Sequence, residues 1–84
     1  MDTLAVFRSR NQTMLFANLL EKNGVKTRII TTPRSLGYSC GLSVRFLRGH
    51  LGKAREILGE LKMDSFVGFF AINDGYLGGS IKPL

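Results

Sequence analysis

A chain of 84 residues with 44% hydrophobic residues can build one small core, so a single domain over residues 1–84 is expected and a second is excluded. Twelve Lys and Arg against six Asp and Glu give a net charge of +6, and a single cysteine, Cys40, excludes an internal disulfide. No apolar run reaches the roughly 18 residues of a membrane span and no signal-peptide pattern opens the chain, so a cytoplasmic location without membrane contact is expected.

The first element is the strand-forming run "TLAVFR", residues 3–8, followed by "SRNQ", in which Ser9 and Gln12 have the spacing of a helix capping box. Met14, Leu15, Phe16, Leu19 and Leu20 then recur at helical spacing as far as Lys22, and Gly24 stands where a left-handed cap belongs. In "VKTRIIT", residues 25–31, Val25, Thr27 and Ile29 alternate with Lys26 and Arg28, as in a half-exposed strand. Pro33 and Gly37 interrupt the chain before "LSVRFL", residues 42–47, resumes the alternation, so residues 32–41 read as a long hairpin loop. Leu51, Ala54, Ile57, Leu58 and Leu61 form the apolar stripe of a second helix over residues 50–62. "SFVGFFAI", residues 65–72, is a largely buried strand with Gly68 as a bulge or close-approach point. Residues 73–84 form a glycine-rich extension beyond a core of about 3–72, with turn signals at Asn73, Asp74 and Gly75 and a short extension at Ser80 to Lys82.

The order β-α-β-β-α-β is that of an α+β, ferredoxin-like domain, an antiparallel sheet with two helices on one face. In this topology the loop after the second strand lies at the same end as the exit of the first strand, the start of the first helix and the end of the second. Arg8, Arg10, Arg34 and Lys62 are therefore expected to gather near Cys40.

A thiol reacts as its thiolate, which nearby cations and a helix N-terminus favour. Arg8 and Arg10 are the candidates for supporting that charge, and Arg34 for pairing with it or gripping a donor's carboxylate. Ser39 and Gly41 offer backbone N–H groups to an anion, and Gly37 and Gly41 leave room beside the sulfur. Such a cysteine can accept a sulfur or selenium atom and pass it on, since attack, storage and release all use one sulfur. The competing reading is a small apolar filler. "GYSCG" is no phosphate loop, no motif asks for a cofactor, and Cys40 with His50 offers at most two of the usual four zinc ligands, so neither cofactor nor metal is expected. His50 opens the second helix at the far end from Cys40, and Asp2, Asp64 and Asp74 lack the spacing of paired catalytic carboxylates.

The segments "VFRS", "LEKNGV", "TPRSLGYSCGLSVRF" and "LGKAREIL" resemble those of a small bacterial family, the putative Se/S carrier protein-like proteins, over roughly residues 3–72. The most specific parts are Thr32-Pro33-Arg34, Ser39-Cys40-Gly41 and Arg45-Phe46. The resemblance implies that Cys40 holds sulfur or selenium as persulfide or perselenide; a non-enzymatic carrier rather than a catalyst is expected, with Arg34, Ser39, Gly41 and Arg45 as its substrate-binding residues. A cysteine desulfurase-like donor and an acceptor protein would be its partners. Two other readings use different features. Lys26, Arg28 and Arg45 on an open sheet face beside Phe7 or Phe69 would suit RNA, although "CGLSVRFL" lacks the aromatic spacing of the RNA-recognition signature. "FVGFFAI" with the tail could instead make a homodimer or another interaction module.

Overall fold

Strand β1 (Thr3–Phe7) is buried at every residue, because it is the middle strand of its sheet. The computed structural model describes residues 2–36, 40–73 and 80–84. Helix α1 (Arg10–Lys22) begins where Ser9 Oγ accepts the Gln12 N–H at 3.2 Å, the cap that the sequence announces. It ends where Gly24, at φ +80°, donates to Glu21 O while Val25 N–H donates to Leu20 O at 2.9 Å, a Schellman closure. Val25 is thereby buried under the helix end instead of opening a strand, and Glu21 Oε2 takes the Thr27 N–H at 3.2 Å. Strand β2 consequently spans only Arg28–Thr31.

Strand β3 (Leu42–Phe46) follows the loop, then a 3₁₀ turn at Arg48–His50, helix α2 (Leu51–Glu60), β4 (Phe66–Asn73) and β5 (Ser80–Pro83). The strand order is β2-β3-β1-β4-β5 with every neighbouring pair antiparallel, so β1 and β2 run parallel on either side of β3. This is the ferredoxin-like α+β arrangement with one strand added at the β4 edge, where Ile81 pairs with Ile72. The turn expected at Asp74 and Gly75 lies outside the described residues.

The helices pack on the sheet face formed by Ala5, Phe7, Val44, Phe46 and Phe69. From α1 the buried side chains are Thr13, Phe16, Ala17 and Leu20. Met14 and Leu15, expected in the stripe, are instead 42% and 48% exposed, because the helix is turned so that Thr13 and Ala17 meet the sheet. Rings join the layers: Phe7 lies 5.2 Å from Phe16, and Phe69 lies 4.9 Å from Phe66, 6.2 Å from Phe46 and 6.3 Å from Phe16. The β1–β4 register shifts between Val6, opposite Gly68, and Phe7, opposite Phe66, which leaves Val67 as the extra residue of a bulge. Gly68 is also a close approach, since a Cβ there would come within 3.3 Å of the Phe70 ring.

Phe69 contacts three other rings, so Phe69→Ala is expected to lower the unfolding free energy by about 3–5 kcal/mol in urea titration. Leu15→Ala, on the exposed side of α1, should change it by only about 0.5 kcal/mol.

Candidate functional site

The β2–β3 loop is closed at its base by two polar pairs. Thr32 N–H donates to Gly41 O at 2.9 Å, and the buried hydroxyls of Thr32 and Ser43 meet at 2.6 Å. Within the loop, a 3₁₀ turn at Arg34–Leu36 carries a bond from Leu36 N–H to Pro33 O at 3.1 Å. Gly41 adopts φ +94°, a conformation that side-chain-bearing residues rarely hold. The turn at Gly41 lets Cys40 N–H donate to Phe7 O at 3.2 Å, so the backbone of the cysteine is tied to the end of the central strand.

The Cys40 side chain is half-buried against the first turns of α1. Its Sγ lies 3.4 Å from Thr13 Oγ1 and 3.4 Å from Leu42 O. Thr13 is fully buried, and its hydroxyl also donates to Ser9 O at 2.9 Å. The carbonyl of Leu42 can only accept, so the neutral thiol is the donor in that contact. Among the described residues the sulfur therefore meets one obligate acceptor, which suits S–H, and one hydroxyl, which can serve either form.

Arg8 directly follows Phe7 at the end of β1, and its own N–H donates to Ser65 O at 2.8 Å. Arg10 is the exposed first residue of α1, one helical turn before Thr13, and Arg34 is exposed in the 3₁₀ turn of the loop itself. The fold thus brings these segments to the same end of the sheet as Cys40, where the exposed Lys62 also follows α2. Arg45 is placed elsewhere. It stands three residues beyond Leu42, roughly 10 Å along the strand, in a row with Arg28, Leu4 and Phe70 on the face turned away from the helices. Gly37 and Ser39 lie outside the described residues.

Gln12, the expected reciprocal partner of Ser9, reaches across to the turn before β4 instead. Its Nε2 donates to Asp64 Oδ1 at 2.8 Å, and its Oε1 accepts from Ser65 N–H and Oγ–H at 3.1 and 2.6 Å. His50 ends the 3₁₀ turn ahead of α2, at the far end of the sheet from Cys40. Phe7 and Phe69, the aromatics expected to offer an RNA platform, point into the helix-covered core and are 0% and 6% exposed. Among the described residues, no three His, Cys, Asp or Glu stand together as a metal site, and no helix is long and apolar enough to cross a membrane.

Thr13 is the site residue that sequence reading misses. A signal for it exists: a hydroxyl on the apolar face of α1, in phase with Ala17 and Leu20 and four residues after the cap.

The model of the family described as Putative Se/S carrier protein-like matches residues 2–65, more than half of the chain, and the chain belongs to that family. The match takes in β1 through α2 with the whole cysteine loop, and ends just before β4. No curated protein and no solved structure matches the chain.

A Cβ at Gly41 would meet nothing within 4 Å, so Gly41→Ala has no clash to relieve and strains only the backbone. A loss of about 1–2 kcal/mol is expected in urea unfolding, the cost of a left-handed residue carrying a side chain.

Proposed function

We propose that Cys40 is the carrier atom of this Se/S carrier-like protein, holding sulfur as a persulfide or selenium as a perselenide between a cysteine desulfurase-like donor and an acceptor protein. The observation that supports this most directly is the placement of the chain's only thiol. It lies inside the family match, on a loop anchored at Gly41 and Phe7, with its sulfur half-buried at the rim of the helix layer. A carrier needs such an intermediate position: exposed enough for a donor's sulfur to reach it, and covered enough to slow the loss of the cargo to water or small thiols.

The transfer balances at sulfur alone. The Cys40 thiol releases its proton to solvent, and the thiolate attacks the outer sulfur of the donor's persulfide. A new S–S bond forms on Cys40 as the donor's S–S bond breaks, and the donor leaves as a thiolate. The Cys40 sulfur is formally oxidised and the donor's inner sulfur reduced, so no external oxidant is needed. Delivery repeats the exchange, with the acceptor's thiolate as the attacking group. The protein acts as a stoichiometric carrier and needs no base held beside the sulfur.

Incubation with a cysteine desulfurase and cysteine is expected to add the mass of one sulfur atom to the intact chain, at Cys40 and removable by reductant. Cys40→Ser should gain nothing. Equal loading of the serine variant would overturn the proposal.

A further inference from the structure

We propose that Thr13 is the positioning residue of this site, a buried hydroxyl that turns from Ser9 O to the Cys40 sulfur when the thiol ionises. Its purpose rests on the carrier reading, but the geometry stands by itself.

In the thiol form each of the two protons has an acceptor among the described residues. Thr13 has one hydroxyl proton, and its Oγ1 lies 2.9 Å from Ser9 O. Cys40 has one thiol proton, and among the described residues Leu42 O and Thr13 Oγ1, each 3.4 Å from Sγ, can take it. Ionisation removes the thiol proton to water and reverses the needs of the sulfur, which must now accept. Leu42 O has no proton to give and becomes an unfavourable neighbour of the anion. Thr13 Oγ1 is already at contact distance and needs only to rotate its O–H bond toward sulfur.

That rotation leaves nothing orphaned. Ser9 O also accepts the Thr13 backbone N–H at 3.0 Å, so it keeps a partner when the hydroxyl turns away. Thr13 is 0% exposed, which keeps water from competing for its proton and fixes the side chain against the core. Among the described residues, the charged groups of the elements that meet at this end are Arg8, Arg10, Arg34 and Lys62, with Asp64 held by Gln12. These residues are exposed, whereas the Thr13 hydroxyl is buried at contact distance from the sulfur. The same hydroxyl can serve the inner sulfur of the persulfide, which is likewise an acceptor without a proton.

The test compares Thr13→Val, which keeps shape and removes the hydroxyl, with Thr13→Ser, which restores it. Alkylation of Cys40 by iodoacetamide at neutral pH is expected to slow about tenfold in Thr13→Val, the worth of one hydrogen bond to a charged acceptor, and to return to within about twofold of the parent in Thr13→Ser. The thiolate absorbance at neutral pH, taken as the difference from Cys40→Ser, should fall and recover in step. Circular dichroism and urea unfolding of each variant establish that it is folded under assay conditions. A folded Thr13→Val that reacts at the parent's rate would overturn the assignment. So would a Thr13→Ser as slow as the valine variant, because a merely structural role would not separate them by the hydroxyl. Alkylation needs no sulfur donor, so failure of sulfur loading with this pattern intact would count against the carrier role and leave the role of Thr13 standing.

Discussion

The last residue of β1 is the point on which the cysteine end of the molecule depends. The Phe7 ring packs 5.2 Å from both Phe16 and Phe66, locking α1 and the entry of β4 to the central strand. Its carbonyl accepts the Cys40 N–H, and the register with β4 shifts beside it. One residue thus couples the aromatic core to the loop. The thiol is held by the same packing that stabilises the fold, and the loop turns at Gly41, in a left-handed conformation, beside its bond to β1.

This coupling fixes the backbone of the chain's only cysteine at the end of the central strand. Carrier chemistry asks for a sulfur that can exist as thiol, thiolate and persulfide without rearranging its surroundings. A carbonyl on one side and a hydroxyl on the other meet those needs at little cost, since a hydroxyl changes from acceptor to donor by rotation about one bond. A fixed cation would favour only the charged forms. The arginines at this end are exposed.

Element order was legible because each boundary carries its own local signal: Ser9 at the start of α1, Gly24 at its end, and the alternation on either side of the loop. What escaped was the choice of face. Residues 3–7 are buried on both sides, so they show no alternation, and nothing in "TLAVF" says that Phe7 joins the helix-covered face. The phase of α1 was hidden for a related reason: "MLFANLL" offers two overlapping apolar stripes, and only packing against the sheet selects Phe16, Ala17 and Leu20 over Met14 and Leu15. Thr13 fell with the phase. The cysteine itself stood out by composition and by its glycines, whereas its contacts with Thr13 and Phe7 join residues 27 and 33 positions apart, which only the folded chain brings together.

The central claim is that Cys40 holds a transferable sulfur atom, and cyanolysis measures that atom directly. Protein loaded by a desulfurase, stripped of small molecules and treated with cyanide should yield roughly one equivalent of thiocyanate per chain, with the Cys40 thiol regained in the same amount. No thiocyanate, or an equal yield from Cys40→Ser, would contradict it.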